Sequence, residues 1–507
     1  MFAFRLALGI SALIWQGLPA LVAAGTYLAL SVQPALAVIA ASLFAMVSVL
    51  AKQLVVLLLP PPSSHGTARF ADFDDIARAR LFANRGIILG RKAGRTLRYS
   101  GDGHLLTFAP TRSGKGVGCV IPTLLSWRGS VVVTDIKGEN LAITGSYRRR
   151  LGQVYALAPF DETLNARAAY NPFDFIRVGS PYEVDDTRLI AEMLVVPDGH
   201  EPSHWDREAR MLITGLVLYV MHHGKEGDKN PAHIRQLLMN DLEGFELTLA
   251  QMANSPHPAV SRIASGFSQK SEKERSGVIS TAQGATEVFE SPLLAKITSS
   301  STFKLEELKD GICSLYLVIP PEYLDSYRPY LRMMVGLCTA MMTRRVNSTP
   351  YEVLFLLDEL PALGYMRPIE EGIGYLAGYR AKLWLFVQDL DQLAKTYPKA
   401  RSIVANCAVR QAFNVQDPET AKLLSDMMGA TTIRMKSAGR SGKLPIRLLS
   451  GSYQSSAYES GRDLMTPAEV MAMRPKQQLL FVQSVPPIKA KKIRYFDPLE
   501  WRFWGKY

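Results

Sequence analysis

The sequence predicts an α/β architecture built on a buried parallel sheet, interrupted by an all-α insertion and preceded by a two-helix membrane hairpin. Three observations predict it. Short apolar runs such as Leu105-Leu-Thr-Phe108 and Val353-Leu-Phe-Leu-Leu357 end in glycine-rich or acidic segments, the pattern of strands buried on both faces. From about Pro181 to Ser300 apolar residues recur instead at helical spacing, with breaks at Pro197, Pro202, Gly224, Pro231, Pro256 and Pro258. Between Arg5 and Lys52 no charged residue occurs.

That uncharged N-terminal stretch holds two apolar runs, about Leu6 to Leu30 and about Ala35 to Leu59, separated by Ser31-Val-Gln-Pro34. Each is long enough to cross a hydrocarbon core of ~30 Å at ~1.5 Å per helical residue. Arg5 precedes the first run, Lys52 lies near the end of the second, and Arg69, Arg78 and Arg80 follow, so both ends are expected in the cytoplasm. A secretory signal peptide competes with this reading, because Ala35-Leu-Ala37 resembles a cleavage site; its apolar region would be long for that role, and a second span follows at once. Pro60-Pro-Pro62-Ser-Ser64 is a stiff exit from the bilayer.

The 507-residue chain has 4 cysteines (Cys119, Cys313, Cys338 and Cys407), none closely spaced. This excludes a zinc ribbon and points to a reducing compartment. A net charge of +12 suits a nucleic acid or an anionic membrane surface without choosing between them.

The segment Ala109-Pro-Thr-Arg-Ser-Gly-Lys115-Gly116 follows the Leu105 strand and precedes an apolar helical stretch from Val117 to Leu125. Unpaired backbone N–H groups at a helix start attract phosphate. Thr111, Arg112, Ser113, Gly114, Lys115, Gly116 and Val117 are therefore the expected phosphate cradle, with Lys115 reaching the β- and γ-phosphates of ATP. Ala109 stands where the first glycine of G-x-x-x-x-G-K-[ST] is usual, which a negative φ would allow. Gly116 replaces the hydroxyl residue that usually helps hold Mg2+. Asp358 and Glu359 end the Val353 run, at the carboxyl edge where doubly wound sheets bind ligands. Asp358 is placed to hold Mg2+, directly or through water, and Glu359 to polarise an attacking water.

Val131-Val-Val-Thr134 ends in Asp135-Ile-Lys137-Gly-Glu139 at the same expected edge, and Gln153 to Ala158 is another short strand. Helices are expected at Glu183–Val195, Asp206–His222, Ile234–Met239, Gly244–Ala253, Ala259–Phe267 and Glu272–Phe289. Returning strands are expected at Ser314–Ile319, Val353–Leu357, Leu383–Val387, Arg410–Val415 and Gln478–Gln483. Residues 69 to 98 carry no clear motif. The divisions are 1–65 (membrane hairpin), 66–180 (nucleotide-binding domain, first part), 181–300 (all-α domain) and 301–507 (nucleotide-binding domain, second part).

His200-Glu-Pro-Ser-His204 matches the zinc-protease pattern H-E-x-x-H by letter. Pro202 between the histidines costs about 3 kcal/mol in a helix interior, so a loop before the Trp205 helix is expected instead. The His222-His223 pair is expected to cap a helix.

In order along the chain, the two spans, TRSGKG, VVTDIKGEN, the helical insertion, LFLLDELPALG and Gly378-Tyr-Arg-Ala-Lys-Leu-Trp-Leu-Phe-Val-Gln388 together resemble the TraG-like coupling proteins of type IV secretion and conjugation. The resemblance spans nearly the whole chain. It implies a RecA-like P-loop domain in a homo-hexamer on the cytoplasmic face of the bacterial inner membrane, where ATP hydrolysis with Mg2+ hands single-stranded DNA with its relaxase, or protein effectors, to the secretion channel and its ATPase components. Lys115 is then the P-loop lysine, Asp358 and Glu359 the Walker B pair, Gln388 the γ-phosphate sensor and Arg380 a finger for a neighbouring subunit, with Arg462 a second interface candidate. The helical insertion would receive substrate, the more so because the link between spans is short and Tyr507 follows soon after the last strand. A docking receptor in which nucleotide sets assembly without driving transport is the alternative, and Gly116 is its sequence support. A membrane-anchored AAA-type protease is a third reading, weakened by Pro202 and by the position of HEPSH between the nucleotide motifs.

Overall fold

The computed structural model describes residues 42–44, 46–48, 50, 63–164, 167–197, 201–344, 351–441 and 452–497. The first expected span lies outside the described residues, and the second is described only at the helical positions between 42 and 50. No helix among the described residues is long and apolar enough to cross a membrane.

The chain divides into two compact units. The larger comprises 69–428 and 464–507. Its strands are β1 (Ile87–Lys92), β2 (Arg95–Tyr99), β3 (His104–Phe108), β4 (Ser130–Thr134), β5 (Gln153–Leu157), β6 (Cys313–Leu317), β7 (Val353–Leu357), β8 (Ala381–Val387) and β9 (Cys407–Ala412). The smaller unit contributes β10 (Ala430–Ser441) and β11 (Ser452–Asp463); β12 (Gln477–Val482) and β13 (Ile488–Lys491) return to the larger.

Eleven strands form one sheet in the order β2-β1-β13-β12-β9-β3-β8-β7-β4-β6-β5. From β9 to β5 every neighbouring pair is parallel. From β9 to β2 the pairs are antiparallel, so the sheet is mixed rather than wholly parallel. The Gln478 run is a strand as expected, but it runs against β9.

Apolar runs form these strands because helices cover both faces of the sheet. Leu105, Val131, Leu354 and Trp384 enter one hydrophobic cluster, while their neighbours Leu106, Val132, Phe355 and Leu385 enter another. Successive side chains point to opposite faces, so one unbroken run serves two cores.

Between β5 and β6 the described residues are helical: Glu183–Leu194, His204–His223, Pro231–Leu238, Leu242–Ala253, Pro258–Ser268, Glu272–Thr286 and Pro292–Thr298. Their starts follow the local chemistry. Ser203, Asn230, Asp241, His257, Ser271 and Ser291 each accept a backbone N–H as N-cap. Glu201, Pro202 and Ser203 precede the helix, as the loop reading expected: Ser203 and Asp206 form a capping box, and the helix begins at His204. His200 lies outside the described residues. In the smaller unit, β10 and β11 form an antiparallel hairpin, and Thr67 bridges to Thr431.

Candidate functional site

Three adjacent parallel strands, β3, β8 and β7, set the site. Because they run the same way, their carboxyl ends share one sheet edge. The Ala109–Gly116 loop leaves β3 there, Gln388 leaves β8, and Asp358 and Glu359 leave β7. Some 240 residues of sequence are thereby closed into contact: Lys115 Nζ lies 2.9 Å from Asp358 Oδ1 and 2.7 Å from Glu359 Oε2. Gln388 Nε2 donates to Glu359 Oε1 at 2.8 Å, and Gln392 Nε2, one helical turn on, donates to the same oxygen at 3.1 Å.

The loop is wound tightly before the helix. Arg112 and Gly114 adopt positive φ of 61° and 89°, whereas Ala109 does not, so alanine is accommodated at that position. The helical turn that follows opens as a wide π turn, Gly116–Val120, and narrows to α at Ile121–Leu124. Ser113 and Lys115 are drawn inward, while Thr111 and Arg112 stay exposed. A Cβ built at Gly116 would meet nothing within 4 Å. The missing hydroxyl therefore leaves open space, not a repacked wall.

Burial disfavours the Lys115 charge, but the two carboxylates offset it and hold its pKa above the ordinary lysine value. Burial raises Asp358, against the pull of Lys115. Burial also opposes ionisation of Glu359, yet Lys115 and the two glutamine donors hold its pKa below the usual carboxylate range. Asp358 Oδ1 is held by the Lys115 ammonium. Glu359 itself sits at φ 57°, a strained conformation for a glutamate.

Asp135, expected at this edge from the sequence, joins the site, as do residues after β13 that were not singled out there. Asp135, at the end of β4, is 2 % exposed and accepts from the Leu141 N–H (2.8 Å) and Asn140 Nδ2 (3.2 Å). Burial, with Asp358 nearby, pushes its pKa up to about 6. The segment after β13 crosses the phosphate loop: Lys492 Nζ donates to the Ser113 carbonyl at 2.8 Å, and the Tyr495 N–H to the Val117 carbonyl at 3.0 Å. Gly118 is needed beneath it, since a Cβ there would lie 2.9 Å from the Ile493 oxygen.

Arg380 is not with these groups. It is exposed, at φ 60°, immediately before β8, and its carbonyl accepts from the Val353 N–H at the start of β7. This is the opposite sheet edge from Gln388, so Arg380 cannot serve the site of its own chain. Arg462 lies on β11 of the smaller unit, paired with Thr431.

A second cluster, Glu183, His222 and His257, has the composition of a metal site. Its hydrogen bonds account for it without one. The Val260 N–H donates to His257 Nδ1 at 3.4 Å, leaving the proton on Nε2, which faces Glu183 Oε1 at 2.8 Å. His222 Nε2 takes the other oxygen at 3.1 Å, and His223 Nε2 lies 2.9 Å from Ser255 Oγ. A metal ligand would need the Nε2 lone pair and an acceptor for Nδ1–H. These histidines tie helix ends together. His204, the described histidine of the zinc-protease pattern, likewise faces a carboxylate, Glu274, at 2.9 Å.

Residues 69–502 match the family model described as "Type IV secretory system Conjugative DNA transfer". A conjugal transfer protein TraG of Escherichia coli is 32% identical over 492 residues, covering 86% of this chain and 77% of the relative. The protein VirD4 of Rhizobium rhizogenes is 28% identical over 467 residues, covering 89% and 68%. The fold resembles that of the plasmid coupling protein TrwB, solved in complex with ADP and Mg2+, with a TM-score of 0.61 at 15% identity over 86% of this chain and 96% of that one.

Proposed function

Since the chain belongs to the type IV secretory conjugative DNA-transfer family, we propose that it is an inner-membrane coupling ATPase. In this reading it binds ATP and Mg2+ at the β3–β8–β7 edge, assembles as a homo-hexamer, and passes relaxase-bound single-stranded DNA or protein effectors to a secretion channel. Residues 1–65 would anchor it, 181–300 would receive substrate, and 66–180 with 301–507 would form the RecA-like motor. The observation that carries the proposal is the convergence of Lys115, Asp358, Glu359 and Gln388 at one edge.

The residues fit the proposed ligands. Asp358 Oδ1, which faces Lys115, and the open space at Gly116 would leave room for a hydrated cation once Lys115 turns to the phosphates. When bound, Mg2+ would neutralise phosphate charge. Lys115 would leave the carboxylates for the β- and γ-phosphates, freeing Glu359 to take a proton from water. Gln388 and Gln392 would keep the Glu359 carboxylate aimed. Gly116→Thr is expected to fold normally and to strengthen Mg2+-dependent ATP binding severalfold; titration of nucleotide at fixed Mg2+ measures it.

Hydrolysis would depend on assembly, with Arg380 offered to a neighbouring subunit's nucleotide. Arg380→Ala should bind ATP yet not hydrolyse it. Mixing that variant with Lys115→Ala should restore part of the activity, since some interfaces then combine an intact arginine with an intact site. No restoration at any mixing ratio removes Arg380 from the trans role. The docking-receptor alternative keeps one observation in its favour, the absent hydroxyl at Gly116.

A further inference from the structure

The helix Arg328–Arg344 carries a buried cation that nothing in the nucleotide site explains. Arg332 is 6 % exposed and lines a cavity of about 640 Å³ between that helix, the helix Glu183–Leu194 and the segment after Glu359. Its Nε has no hydrogen-bond partner, and no carboxylate pairs with it among the described residues. Its charged neighbours Arg210 and Arg328 are of like sign, and burial pushes its pKa down only to about 10, so it stays cationic at neutral pH. A guanidinium held without a counter-charge favours an anion that can reach it.

Glu192, Glu201, Glu370 and Glu371 line the cavity, and none of them forms an ion pair with Arg332. Glu370 accepts from the Tyr365 hydroxyl (3.2 Å) and the Lys399 N–H (2.9 Å), and Glu371 pairs with Arg367 (2.8 Å). Glu192 and Glu201 are exposed. Arg210 spends Nε and Nη2 on the Val195 carbonyl. The remaining wall is largely apolar, including Met193, Ala340 and Met366.

We propose that this cavity binds a small organic carboxylate, its carboxylate on the Arg332 guanidinium and its apolar body against Met193, Ala340 and Met366. A planar guanidinium fork matches a carboxylate, and the volume falls in the range of small-molecule sites. A dianion such as phosphate is a poorer fit, because Glu370 shares the wall and the apolar half would be left without a partner. The site shares no lining residue with the phosphate loop, and it does not rest on the nucleotide reading.

The test uses the full chain in detergent with MgADP present, probed with 4-methylpentanoate, benzoate, 4-methylpentanamide and inorganic phosphate. At least one carboxylate should raise the melting temperature saturably, while the amide and phosphate should not. Arg332→Leu should melt no lower than the parent, since it removes an unpaired buried charge, and should weaken the carboxylate by roughly 10-fold or more. Ala340→Leu, which keeps Arg332 but fills the apolar half, should do the same. The proposal is overturned if neither carboxylate shifts the melt, if the amide or phosphate does so equally, or if the shift survives in both variants.

Discussion

Lys115→Ala is expected to abolish ATP hydrolysis and to weaken nucleotide binding by roughly 10- to 100-fold, the range of losing one charge-assisted bond to phosphate. Equilibrium titration with ATP and a phosphate-release assay measure the two effects. The same change should lower the stability of the nucleotide-free protein, because Asp358 and Glu359 would then share a partly buried edge without their cation. The pH dependence follows from Glu359, whose pKa Lys115 helps depress. Its pairing contributes stability above the ordinary glutamate value of about 4.3, and that contribution is lost as pH falls through the lower folded value. Lys115→Ala should therefore destabilise the protein at neutral pH and remove this part of the acid-side loss. Hydrolysis that persists in the variant would take Lys115 out of its assigned role.

Glu359→Gln separates motor from receptor. The glutamine keeps an acceptor for Gln388 and Gln392 but cannot take a proton from water. Nucleotide binding should persist, while hydrolysis falls by roughly 10²- to 10⁴-fold, the usual size of a general-base contribution. Substrate transfer in cells should fall with hydrolysis. Transfer that continues while hydrolysis has stopped would favour the receptor in which nucleotide sets assembly alone.

The parts of this site that could be read from the sequence are those whose physics is local. Asp358 and Glu359 stand directly after an apolar run and Lys115 follows one across a short glycine-containing loop, and a run buried on both faces announces itself without its neighbours. Gln388 was readable because it ends β8, although the order β3-β8-β7, which puts it between the two nucleotide motifs, is a property of the sheet. Gln392 is one helical turn beyond Gln388, and only the Glu359 contact marks it. Lys492 and Tyr495 are far from the phosphate loop in sequence and meet it only because β13 returns the chain there. Asp135 was seen as a charged residue at the ligand edge, but its burial beside Asp358 depends on β4 lying next to β7.

The antiparallel half of the sheet was harder to read for a related reason. In β2 and β13 basic and half-buried residues alternate with apolar ones, and β1 ends in Arg91 and Lys92, so residues 69–98 show no continuous run. Six helices of the insertion are legible to within a few residues, because N-caps and prolines punctuate the chain, whereas the short helix Pro292–Thr298 was not expected. The membrane hairpin stays an inference from charge and length.

The most direct measurement of the central claim is a structure of the chain with Mg2+ and a non-hydrolysable ATP analogue. The account predicts β- and γ-phosphates on the Ser113–Val117 amides, Lys115 moved from Glu359 to the phosphates, and Asp358 facing the cation. Nucleotide bound elsewhere, or phosphates on the loop with Lys115 still locked to both carboxylates, would contradict it.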